Sequence, residues 1–136
     1  MSGFALSARS LQRLEGVHPQ LVEIVKLAIE RTAEDFTVVE GLRTPERQRE
    51  LVAAGKSQTM NGLHLRQADG YGHAVDLAPL VGGVIPWNEW ARFKELADVV
   101  KACAADLGVP VEWGGDWKSF KDGPHFQLPR GWQAAA

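Results

Sequence analysis

Apolar residues recur in three- and four-residue steps along some stretches of the chain and in two-residue steps along others, with turn formers marking most of the boundaries. In GVHPQLVEIVKLAIERT, residues Leu21, Ile24, Val25, Ala28 and Ile29 share one helical face; His18 stands at the start, and Pro19 takes the first helical position, where its missing N–H costs nothing. The same rhythm carries Trp90, Phe93, Ala97, Val100, Ala104 and Leu107 through residues 88–107, with Gly108 and Pro110 placed to stop the helix. Ser7 is set to cap a short helix reaching residue 14, and Thr44 to cap another that Pro45 opens and Gly55 closes. FTVVE at 36–40, HAVDLAP at 73–79, VEW at 111–113 and HFQL at 125–128 read as strands, the last two separated by the turn-rich GGDWKSFKDGP. Residues 56–72 keep no steady period and read as a long loop, a kind of segment that in small domains often carries function. Only some strands are separated by helices, so the expected fold is α+β: one compact domain over 1–136 with a small, largely antiparallel sheet packed with helices, and a frayed QAAA tail.

Composition narrows the function classes. Fifteen Lys and Arg against 17 Asp and Glu give a net charge of -2, with no basic footprint for nucleic acid. The lone Cys103 cannot form an internal disulfide and falls in an apolar helical pattern as a small hydrophobe. No window approaches the length of a membrane span and no basic leader precedes an apolar run, so neither membrane insertion nor secretion is expected.

The chemistry gathers in HLRQADGYGHAVDLAP and KDGPHFQL. A catalytic zinc takes three protein ligands from imidazole and carboxylate and leaves a fourth position for water. Of the four histidines, His18 precedes a proline at a helix start and reads as a capping or surface residue, leaving His64, His73 and His125. Along HAVDLAP, alternation places Asp76 on the face opposite His73, Val75 and Leu77. Flanked by alanines in an apolar strand, Asp76 needs a metal, an arginine or several amide donors as partner. His125 opens a strand just after a tight turn, and Asp122 three residues earlier is placed to reach a water that the histidine's metal would hold. Trp113 and Trp117 flank this loop, either walling a cleft or packing.

Four blocks, LSARSLQRLEGVHPQLVEIVKLAIE, FTVVEGLRTPERQRELVAAGKSQTMN, GHAVDLAP and EWGGDWKSFKDGPHFQL, resemble in order the M15 zinc peptidases that cut peptidoglycan stem peptides, and among them the phage endolysins acting as L-alanyl-D-glutamate endopeptidases. The resemblance implies zinc ligands at Asp76 and His125, a general base at Asp122, and an arginine at Arg43 that holds the substrate, with Gln48 and Ser57 contacting the peptide. The first ligand is where the chain departs from the family pattern. That pattern sets a histidine seven positions before the aspartate, where this chain has Asp69, and a serine two before the histidine, where Gly62 precedes His64. His64 becomes the ligand if the loop 65–71 carries an insertion, and imidazole suits zinc better than a second carboxylate; Asp69 or His73 is the fallback.

The resemblance implies a zinc-dependent peptidoglycan endopeptidase cleaving the L-Ala-D-Glu bond during host cell lysis, one Zn2+ per chain, with the stem peptide as partner and no separate wall-binding domain. It implies a monomer held in the host cytoplasm and delivered to periplasmic peptidoglycan through a separate holin. Rival readings are a D-alanyl-D-alanine carboxypeptidase or dipeptidase on the same scaffold, and a non-catalytic zinc or wall-binding module.

Overall fold

A computed structural model of the chain describes residues 2–57 and 62–134; residues 58–61 of the expected long loop and the last two of the expected frayed tail lie outside the described residues. In chain order the elements are α1 (Ala8–Arg13), α2 (Pro19–Arg31), β1 (Phe36–Glu40), α3 (Pro45–Ala53), β2 (Ala74–Pro79), α4 (Trp90–Leu107), β3 (Glu112–Trp113), a 3-10 turn (Gly114–Asp116) and β4 (His125–Gln127). Ser7 caps α1 by accepting the Ser10 N–H, and Thr44 caps α3 by accepting that of Arg47; each satisfies an amide with no helical partner, worth about 1 kcal/mol. The five periodic residues of α2 are all buried. α4 begins two residues later than its apolar rhythm suggests, because the amides of Trp87 and Glu89 are drawn into turns on the carbonyls of Ile85 and Pro86.

The four strands form one antiparallel sheet in the order β1-β2-β4-β3. α4 lies on β2, α2 on α4 and α1 on β1, so a single cluster joins Leu21, Val25, Phe93 and Val100 of the helices to Val38, Val75, Leu77 and Phe126 of the sheet. Burying each such side chain contributes roughly 1.5–3 kcal/mol. Cys103 is packed in the same cluster, and burial pushes its thiol pKa up.

Directly opposed residues of an antiparallel pair share a face. Val38 opposes Leu77 and Val75 opposes Phe126 on the core side, while Asp76 opposes His125 on the open side. Strict alternation from Phe36 and Val38 would carry Glu40 into the core. Instead the register shifts between Val38 and Glu40, and this bulge sets Glu40 opposite Asp76 on the open side.

Candidate metal centre and cleft

On that open face β2 supplies Asp76 and β4 supplies His125, side by side in register. His64 arrives from the chain ahead of β2, fastened by the His73 amide donating to Leu63 O at 2.7 Å and the Arg43 amide donating to His64 O at 2.8 Å. One ligand atom from each of the three lies within 4.8 Å of the others. Asp76 Oδ1 is 3.1 Å from His64 Nε2 and 3.2 Å from His125 Nδ1.

The outer nitrogens decide what those short distances mean. His64 Nδ1 lies 2.9 Å from Gly41 O, a carbonyl that can only accept, so that nitrogen carries the proton and Nε2 turns a lone pair to the centre. His125 Nε2 lies 2.8 Å from Gln127 Oε1, whose assignment as the oxygen follows from Gln127 Nε2 donating to Glu112 Oε1. Its Nδ1 therefore also aims a lone pair inward. Two nitrogen lone pairs and a carboxylate oxygen facing one another repel unless a cation stands among them, and a borderline-soft divalent metal is what this donor set fits. In the absence of a metal a proton must fill the gap. Burial favours neutral Asp76 and neutral His125, yet their mutual attraction outweighs it: with that proton on His125 Nδ1, the contacts with His125 and His64 hold the Asp76 carboxyl well below the usual range, and Asp76 lifts His125 above the ordinary imidazole value. Gly41 can occupy its place only as glycine, because a Cβ there would come within 1.9 Å of Arg13 O.

Asp122 sits in the turn before β4, its N–H donating to Gly114 O at 3.1 Å and its carbonyl accepting the His125 amide at 3.2 Å. A Cβ on Gly114 would approach Asp122 O to 2.4 Å, so a glycine there lets the turn close. Burial first, and the Asp76 charge second, push the Asp122 carboxyl above its ordinary range against the pull of His125, His64 and Arg43. Arg43 is gripped on both edges. Glu40 accepts from Nε and Nη2 at 2.8 and 2.7 Å, and Gln48 Oε1 accepts from Nη1 at 2.7 Å. Gln48, wholly buried, passes the chain on by donating to Ser57 Oγ at 2.8 Å.

Arg43, Gln48, Ser57, His64, Asp76, Asp122 and His125, the seven residues expected as ligands, base or substrate contacts, all line one cleft of about 720 Å³. Asp69 and His73 are elsewhere, bonded to each other at 2.7 Å beside His18. His18 does cap α2, accepting the Gln20 N–H on Nδ1 at 3.1 Å, but it is buried rather than on the surface. Trp113 packs inside with its indole N–H on Gly123 O, whereas the ring of Trp117 lies 5.1 Å from that of His125 and walls the cleft. Sequence reasoning passed over Glu40, which only the bulge brings to the cleft, and Gln127, which alternation from His125 would have placed on the same face. It also passed over Phe120, at the cleft's lip with 74% exposure and φ of 53°, a backbone state a bulky residue adopts only when its surroundings impose it.

An α+β sheet with a His-Asp-His cluster able to hold a metal ion and a half-buried carboxylate in one cleft fits the class of metal-dependent hydrolases. The profile of the family described as phage L-alanyl-D-glutamate peptidase matches residues 1–128, and the chain belongs to that family. It is similar to the L-alanyl-D-glutamate peptidase of Escherichia phage T5, 29% identical over 94% of this chain and 91% of that protein. It is also similar to the peptidoglycan L-alanyl-D-glutamate endopeptidase CwlK of Bacillus subtilis, 30% identical over 82% of this chain and 73% of that protein. Among solved structures, the L-Ala D-Glu endopeptidase ChiX of Serratia marcescens superposes with a TM-score of 0.81 at 46% identity, covering 91% of this chain and 90% of that one. The chain is a peptidase of this kind, with an α+β fold to match, and among the described residues no helix is long and apolar enough to cross a membrane.

Proposed function

We propose that the cleft hydrolyses the L-Ala-D-Glu bond of peptidoglycan stem peptides with a zinc ion held by His64, Asp76 and His125. The observation that carries this is the convergence of two imidazole lone pairs and a carboxylate oxygen, their outer nitrogens already committed to Gly41 O and Gln127 Oε1. The chemistry a bound zinc supplies is Lewis acidity, which acidifies water and polarises a carbonyl. Asp122 then takes the proton of the attacking water and returns it to the leaving amine, a double role suited to a carboxyl whose pKa is raised toward the working pH. Arg43, its fork held by Glu40 and Gln48, orients the substrate and steadies the developing oxyanion. Ser57 lines the same wall as a peptide contact.

The likeness to ChiX favours this reading over a D-alanyl-D-alanine carboxypeptidase, and a half-buried Asp122 beside the cluster favours it over a non-catalytic module. The same reading has a monomer of one domain act on the wall during host cell lysis, passing from the host cytoplasm to the periplasm through a separate holin. The test is digestion of purified peptidoglycan followed by mass spectrometry of the fragments. Fragments newly ending in L-Ala and beginning with D-Glu are expected, and Asp122→Ala should lower the rate by about 10²–10⁴-fold while zinc stays bound. Release of terminal D-Ala instead, or full activity of Asp122→Ala, would overturn it.

A further inference from the structure

We propose that Lys121, Arg130 and Lys56 form a rim that reads a free carboxylate on the substrate, so that a glutamyl peptide with its second carboxyl free is preferred over the same peptide amidated there. This rests on the peptidase reading above.

Several cations outside the cleft stand beside acids: Arg31 with Asp106, Arg47 with Glu50, Arg92 with Glu34 and Glu89, Lys94 with Asp98, Lys101 with Asp116. Lys56, Lys121 and Arg130 all line the cleft, and among the described residues none of them has an acidic side chain within ion-pair distance. Three acids share the cleft with the four Lys and Arg that line it: Glu40 is forked to Arg43, Asp76 lies between His64 and His125, and Asp122 sits in the turn beside His125. A protein of net charge -2 thus keeps a local surplus of positive charge around its site, which concentrates an anionic ligand there.

The reaction says where the anion sits. A glutamyl residue has two carboxyl groups, and whichever one continues the peptide, the other is free. Its nitrogen is the leaving group and must come within hydrogen-bond reach of Asp122 to receive a proton. The free carboxylate therefore travels within one residue's length of Asp122, whose neighbour in sequence is Lys121. Left unmet, that carboxylate would be repelled by Asp122; the rim cations offset the repulsion. Because all three are exposed at the cleft mouth, the effect is that of solvated charges, about 10-fold in binding at low salt.

The experiment titrates full-length, zinc-loaded Asp122→Asn protein, which holds substrate without turning it over, with an L-Ala-D-Glu peptide and with the same peptide amidated on its free glutamyl carboxyl. Calorimetry should show the acid binding about 10-fold tighter at low ionic strength, with the gap shrinking as salt screens it. The gap should narrow when Lys121→Ala or Arg130→Ala is added, persist with Lys121→Arg and reverse with Lys121→Glu; a residue that only supports the fold would weaken both peptides alike. Equal binding of the two peptides, or a gap that survives both alanine substitutions, would overturn the proposal. Wild-type digestion of the two peptides is read separately. Failure to cut the Ala-Glu bond counts against the peptidase reading, while the binding gap still decides the rim.

Discussion

Two His-Asp-His trios of similar composition stand among the described residues, and of these two one is arranged for a metal. His64, Asp76 and His125 converge on the open face of the sheet; His18, Asp69 and His73 gather beside a separate hollow of about 480 Å³ bordered by Trp132. The difference lies in what each ring's far nitrogen does. In the first trio both far nitrogens donate to fixed acceptors, which leaves lone pairs facing inward. In the second, His18 Nδ1 accepts from the Gln20 amide, so a neutral His18 carries its proton on Nε2, the atom turned toward Asp69 at 3.8 Å. The acids differ too: Asp76 has 16% of its side chain exposed and Asp69 37%. Residue type recruits a site only when the surrounding donors and acceptors set the tautomers.

The largest effect expected from this contrast is on metal content. Asp76→Ala should abolish stoichiometric zinc after dialysis, together with activity, while Asp69→Ala should leave one zinc per chain and near wild-type hydrolysis. Elemental analysis alongside the wall-digestion rate measures both; loss of zinc in Asp69→Ala with retention in Asp76→Ala would exchange the roles of the two trios. A smaller step sharpens the same contrast. Gln127→Leu removes the acceptor that holds the His125 ring and should weaken zinc binding by about 10–100-fold in a competition titration with a chelator. Gln67→Leu, beside the second trio, breaks a hydrogen bond to Leu65 O and should leave zinc affinity unchanged. Equal losses in the two variants would mean that loop stability, not ring orientation, governs the ion.

How far the sequence reveals these features depends on whether they are local. Periodicity and caps place every helix, since Ser7, Thr44 and Pro19 act within a turn of themselves. The antiparallel sheet follows from the order of elements, in which only some strands are separated by helices, and the face of Asp76 follows from alternation. The choice among His64, Asp69 and His73 is not local: counting back from Asp76 lands on Asp69, and only the fold shows His64 against Asp76 while Asp69 and His73 pair with one another. Glu40 is illegible for a sharper reason. The alternation that places Phe36 and Val38 in the core assigns Glu40 there as well, and a one-residue bulge, which leaves no mark in the apolar pattern, moves it to the cleft to grip Arg43.

The smallest effect expected separates the trios by pH. Burial pushes the His18 pKa below its ordinary value, the His73 charge pushes the same way, and Asp69 pulls against both. Protonation must occur on Nδ1 and break the cap on Gln20, so the neutral ring is the one the fold keeps. With the folded value lowered, the unfolded chain binds a proton more readily. Stability from this residue is therefore complete above about pH 6.5 and is lost as pH falls through the folded value. Asp69 does not confuse the reading. Burial raises its pKa, but hydrogen bonds from His73 and Tyr71 outweigh this and hold it below the usual carboxylate range, so it stays ionised across the window. His18→Asn keeps a good capping acceptor with nothing to titrate. At pH 7.5 it should melt close to wild type, and between pH 7.5 and 5 wild type should lose stability relative to it. Zinc release on acidification is common to the two proteins and drops out of the difference in Tm. A difference that stays constant across that range, or that moves in favour of wild type, would mean that His18 is held as the charged ring and that the second trio is an ion-pair cluster rather than a neutral cap.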